Sequence, residues 1–131
     1  MSALYSISGV TIPGKRLGTQ LGFPTANLRY DPRPDLPPDG VYVATAEIEG
    51  RRYVAILNQG HHPTAPEGQP TIETHLLGYS GGDLYDRQLT LHYQQFLRPE
   101  SRFPSLEALR DQLKRDTRSA LDWEARSKEK P

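Results

Sequence analysis

Apolar and polar residues alternate with a period near two over roughly the first 100 positions, and the apolar positions then recur at helical spacing. This divides the chain into a β body and a C-terminal helix. Val41 to Glu49 and Arg51 to Leu57 are β-rich runs meeting at Glu49-Gly50-Arg51, which predicts a hairpin with a tight turn. Thr71 to Leu77 predicts the next strand. In Gln88 to Leu97, Leu89, Leu91, Tyr93 and Leu97 share one face, expected in the core; Gln88, Thr90, His92 and Gln94 share the other, expected in water. Tyr5 to Ile12 and Ala26 to Tyr30 are weaker candidates flanking a glycine-rich segment, Gly14 to Gly22, and bring the total to about six strands.

Asp31 to Gly40 carries four of the 12 prolines and cannot supply the amide donors of a central strand, so a stiff surface loop is expected. Asn58 to Thr64, with His61 and His62, reads as a second loop. Ser105, after Pro104, is placed as the N-cap of a helix over about 105–123 whose stripe is Leu106, Leu109, Leu113, Ala120 and Leu121. Asp111 and Arg115 sit four apart on its wet side. The charged tail, 125–131, is expected to fray. Short antiparallel strands with one terminal helix favour a small barrel, because closure removes exposed sheet edges. Residues 1–124 read as a single domain of this kind.

Composition narrows the chemistry. With 131 residues the chain is long enough for one real core, and with no cysteine it has no disulfides, zinc-thiolate site or cysteine nucleophile; the cytoplasm is the expected compartment. Sixteen basic against 16 acidic residues give zero net charge, so neither nucleic acid nor a membrane surface is an expected partner. A local anion site remains compatible with that balance.

The stretch Gly14-Lys15-Arg16-Leu17-Gly18-Thr19-Gln20-Leu21-Gly22 can fold closely around a ligand and direct backbone N–H groups inward, with Lys15 and Arg16 adding positive charge. It matches neither a Walker loop nor a dinucleotide fingerprint, and a plain hairpin loop is the competing reading. Pro24 fixes the chain just before Thr25 and Asn27. On an extended segment those two side chains point the same way, and a hydroxyl and an amide oxygen can join a Mg²⁺ shell; singly, each is an ordinary turn or cap residue. Glu73 shares a strand face with Thr71, His75 and Leu77, either as a proton acceptor or as a solvent-facing glutamate. His61, His62, His75 and His92, with Glu67 and Glu73, lack the spacing of a convergent metal site.

Gly22-Phe23-Pro24-Thr25-Ala26-Asn27-Leu28 resembles the signature of riboflavin kinases. Similar motifs follow in order: Gly40-Val41-Tyr42, Asn58 with Gly60 and Pro63-Thr64, Glu73-x-His75-Leu76, Leu84-Tyr85, Leu97-Arg98-x-Glu100-x-x-Phe103, and Leu109-x-x-Gln112-Leu113-x-x-Asp116. The resemblance implies a mainly β fold, a six-stranded antiparallel Greek-key barrel with a C-terminal helix. It further implies Mg²⁺-dependent transfer of the ATP γ-phosphoryl to the ribityl 5′-hydroxyl of riboflavin, giving FMN and ADP. Thr25 and Asn27 would then hold Mg²⁺ and nucleotide phosphates, and Glu73 would be the base. The loop with Gly14, Lys15, Arg16, Gly18 and Gly22 would cover the phosphates, and Arg98, Glu100 and Phe103 would belong to a segment on the flavin side.

The chain departs from the family pattern at Leu17 and Thr19, where basic residues are common, and at Asp86, where glycine is usual. Bacterial relatives usually carry an adenylyltransferase domain ahead of this module; a chain of this length is expected to act alone, as a monomer, with FAD made elsewhere. The alternative is a flavin- or nucleotide-binding barrel without catalysis, serving as sensor or carrier. Seven tyrosines could also offer stacking platforms for an oligonucleotide, although strand tyrosines more often pack.

Overall fold

The computed structural model describes residues 3–12, 24–30, 34–60 and 71–129. Six strands, β1 (Tyr5–Val10), β2 (Thr25–Arg29), β3 (Gly40–Ile48), β4 (Arg51–Gly60), β5 (Thr71–Leu76) and β6 (Gln88–Arg98), precede one helix, α1 (Leu106–Glu129). They form one antiparallel sheet in the order β1-β6-β3-β4-β5-β2. Consecutive β3, β4 and β5, with β6 returning beside β3, make a Greek key. The sheet curls until its edges meet: Ile12, just past β1, bridges Asn27 of β2 and donates its N–H to the Asn27 carbonyl at 2.9 Å.

The β3–β4 turn is the one the sequence anticipates. Glu49 and Gly50 both have positive φ, 53° and 75°, as a two-residue turn matched to strand twist requires, and glycine carries the larger angle. Asp86 also adopts φ 53°, a region that aspartate tolerates better than most side chains. Asn58, Gln59 and Gly60, expected in a loop, extend β4 instead, because they pair with β3 on one side and β5 on the other.

Both faces of the central strands are apolar. Inside the barrel lie Leu28, Tyr42, Leu57, Leu89, Leu91 and Tyr93; outside, Val41, Val43, Val54 and Ile56 are covered by Ala120 and Trp123 of α1. Leu97 belongs to this outer cluster rather than beside Leu89, Leu91 and Tyr93. Register shifts between Val41 and Tyr42 and between Val43 and Ala44 break the alternation of β6, so a strict period of two mis-assigns its end.

Ser105 caps α1 as expected, its Oγ accepting from the Ala108 N–H at 3.1 Å. The buried stripe differs from the predicted one. Leu113, Asp116 and Ala120 are buried, whereas Leu106 and Leu121 are exposed at its margins. The helix also continues to Glu129, past the expected end near 123, through good helix formers with Arg126 and Lys128 complementing its C-terminal dipole. Among the described residues no helix is long and apolar enough to cross a membrane.

Candidate active site

β2 and β5 pair so that Thr25 faces His75 and Asn27 faces Glu73. Ala26, Leu28, Ile72 and Leu76 alternate with them and enter the barrel core, so the four polar residues share the outer wall. One register row across the sheet reads Asn27, Glu73, Asn58, Val41, Arg98. Glu73 and Arg98 are therefore three strands apart, about 14 Å at the usual strand spacing.

Thr25, Asn27 and His75 are 7%, 2% and 5% exposed, so the site is sunk into the wall, with Glu73 at its wetter edge. The Thr25 hydroxyl lies 3.0 Å from His75 Nδ1, and His75 Nε2 lies 3.5 Å from Glu73 Oε1. Burial pulls the His75 pKa below the ordinary imidazole value, opposed in part by the carboxylates of Glu73 and Asp116, which favours a neutral ring.

Among the described residues Asn27 Oδ1 is buried without a hydrogen-bond partner, and so is Asn58 Oδ1, opposite Glu73 on β4. A buried amide oxygen left bare is costly in the free protein and is suited to a bound cation or donor. Thr25 and Asn27 offer hard oxygen ligands, and Mg²⁺ typically takes only one or two protein groups alongside waters and substrate phosphates. On these grounds the residues present fit the ion. His75 and His92 are not parts of one site, since His92 instead links Ser6 of β1 to Glu47 of β3.

The segment after β6 is tied to the helix. Arg98 grips Asp116 through two hydrogen bonds, Nε to Oδ1 at 3.1 Å and a terminal nitrogen to Oδ2 at 2.8 Å, and its guanidinium lies 5.7 Å from the Phe103 ring centroid. The Glu100 carboxylate lies against Gly60 in space that any β-carbon there would fill. Arg98, Phe103 and Glu100 thus cluster around the ends of β4 and β6. Gly14, Lys15, Arg16, Gly18 and Gly22, and also His61 and His62, lie outside the described residues.

Sequence reasoning placed Thr25, Asn27 and Glu73 together but missed how His75 joins them. The signal was available, since His75 is two residues from Glu73 on the same strand face. Asn58 stood among the quoted motifs without a role, because the burial of its Oδ1 beside Glu73 depends on β4 running on past Leu57.

The Greek-key barrel thus carries a buried hydroxyl, an amide oxygen, an imidazole and a carboxylate together on one outer wall. The riboflavin kinase family model, Flavokinase, matches residues 1–124. The chain is 42% identical over 117 residues to the bifunctional riboflavin kinase/FMN adenylyltransferase of Pseudomonas fluorescens, covering 88% of this chain and 37% of that protein. It is similar to the crystal structure of riboflavin kinase from Trypanosoma brucei, with TM-score 0.62 and 25% identity over 90% of this chain and 78% of that one. It is also similar to a solved structure described as a macrolide-efflux protein from Streptococcus pneumoniae, with TM-score 0.77 and 29% identity over 90% of this chain and 38% of that one. The chain belongs to the riboflavin kinase family. It spans less than half the length of the curated relatives it matches.

Proposed function

We propose that this chain transfers the γ-phosphoryl of ATP to the ribityl 5′-hydroxyl of riboflavin, giving FMN and ADP. The observation that carries the reading is the buried Asn27 Oδ1, without a hydrogen-bond partner among the described residues, set beside Thr25 and in register with Glu73. Thr25 and Asn27 hold Mg²⁺, which supplies neutralisation of phosphate charge when bound. Lys15 and Arg16, with the glycines Gly14, Gly18 and Gly22, serve the phosphates; Arg98, Glu100 and Phe103 serve the flavin side.

Glu73 accepts the proton of the 5′-hydroxyl as the new P–O bond forms and the bond to the ADP oxygen breaks. Because an alcohol is a weak acid, the carboxylate takes that proton late, and general-base help of this kind is worth about 10²- to 10⁴-fold. Binding depends little on it. A buried wall and a neutral, cysteine-free chain suit an enzyme of the cytoplasm acting on two small soluble substrates.

Incubation with riboflavin, ATP and Mg²⁺, followed by chromatography of FMN and FAD, tests the reading. FMN from the wild type with roughly a hundredfold or greater loss of kcat in Glu73→Gln, at unchanged riboflavin affinity, is the expected outcome. Equal turnover by Glu73→Gln removes the base assignment. Tight flavin binding without any FMN transfers the reading to a non-catalytic carrier or sensor.

A further inference from the structure

His75 touches both halves of the candidate site from one ring. Its place is fixed by the sheet: it faces Thr25 across β2 and Ile56 across β4, and at 5% exposure it has little room to turn. A carboxylate can only accept, so a bond from the ring to Glu73 requires the ring proton on Nε2, the nitrogen that faces it. A ring protonated only there presents a lone pair at Nδ1, which the Thr25 hydroxyl, 3.0 Å away, meets as the donor. That is the orientation a cation ligand needs, because a hydroxyl binds a metal through oxygen with its hydrogen turned aside.

We propose that His75 is a positioning residue that sets the Thr25 oxygen toward the metal and the Glu73 carboxylate toward the acceptor hydroxyl, so that one imidazole ties the phosphate side to the base. This rests on the kinase reading above. The 3.5 Å separation from Glu73 is long for a hydrogen bond, and such contacts often tighten only with substrate bound. Outer-shell partners of this kind are typically worth about 10- to 100-fold in affinity or activity.

The two contacts are separable by substitution. An asparagine amide reaches the place of Nδ1, whereas a glutamine amide reaches that of Nε2. His75→Asn is expected to keep MgADP affinity, measured by calorimetry, within about twofold while kcat falls about tenfold or more. His75→Gln is expected to weaken MgADP about tenfold and to keep more of kcat at saturating MgATP. Identical behaviour of the two variants, or a fall in melting temperature with both constants unchanged, would leave His75 as packing only and overturn the proposal. The wild-type ring supplies a readout independent of folding of the variants and of turnover: long-range ¹H–¹⁵N correlation should show the Nε2–H tautomer. An Nδ1–H tautomer overturns the proposal even if FMN is made, whereas absence of FMN with the expected tautomer and split MgADP affinities removes the kinase reading alone.

Discussion

Asn27 is 2% exposed and its side-chain oxygen has no hydrogen-bond partner among the described residues, an arrangement that costs stability in the free protein. Removing the polar oxygen while keeping volume should therefore spare the free protein and damage the complex. Asn27→Leu is expected to change unfolding free energy by less than about 1 kcal/mol, since replacing an unpaired polar group by an apolar one of similar shape is close to neutral. With MgADP at about 100 times its Kd, the wild type should gain about 2.7 kcal/mol and the variant almost nothing. Thermal melts with and without MgADP check this, and an equal ligand-induced rise in both proteins would contradict it.

The contact between β6 and α1 is made by a charged pair as well as by packing. Asp116 is 3% exposed and accepts from Arg98 twice and from Gln112 at 3.0 Å. Arg98→Ala strands that carboxylate beneath the helix, and breaking a buried pair from one side costs about 3 kcal/mol, read by urea unfolding. Lysine cannot reproduce the two-pronged grip, so Arg98→Lys should recover only part of it. Replacing both partners by leucine should cost less than Arg98→Ala alone, because no buried charge then lacks a partner. A double variant as unstable as the single one would show that the loss lies in packing. This clamp also holds Phe103 and neighbouring Glu100 near the end of β4, so the segment assigned to the flavin side is anchored through the helix.

The molecule as a whole is built around tyrosines. Tyr93 packs edge-on against Tyr5 and Tyr42 at 5.5 and 5.0 Å, and its hydroxyl donates to Gln59 at 2.7 Å. Gln59 in turn donates to Pro37 and Asp39, which binds the proline-rich loop to the barrel. Buried as they are, Tyr42 and Tyr93 are no stacking platforms for an oligonucleotide. Burial raises the Tyr93 pKa well above its ordinary value, with neighbouring tyrosines adding to the effect, and pushes that of Tyr30 up to about 12. Unfolded tyrosines titrate near 10, so above about pH 10 the unfolded chain loses protons that the folded chain keeps. Their contribution is full below that pH and is lost as pH rises, for Tyr30 through about 12. Tyr93→Phe is expected to cost about 1–3 kcal/mol at neutral pH, because Gln59 Oε1 loses its donor. It should also flatten the decline of stability over about pH 10 to 12, as followed by urea unfolding at several pH values, and an unchanged decline would count against this account.

What the sequence determined by itself was whatever depends on neighbours along the chain. The Glu49-Gly50 turn, the Ser105 cap, the alternation through Leu89, Leu91 and Tyr93, and the shared face of Thr25 and Asn27 follow from local dihedral preference and side-chain period. The motif spacing also carried the family. Tertiary structure decided what depends on other strands. The shifts that send Leu97 to the outer cluster, the extension of β4 through Asn58, and the stripe centred on Leu113, Asp116 and Ala120 arise from pairing and packing partners distant in sequence. The meeting of Thr25 with His75 belongs to the same class, since the two residues lie 50 positions apart on different strands. A periodic pattern shows which residues share a face, as His75 and Glu73 do on β5, but only the register between strands brings the Thr25 hydroxyl to that pair.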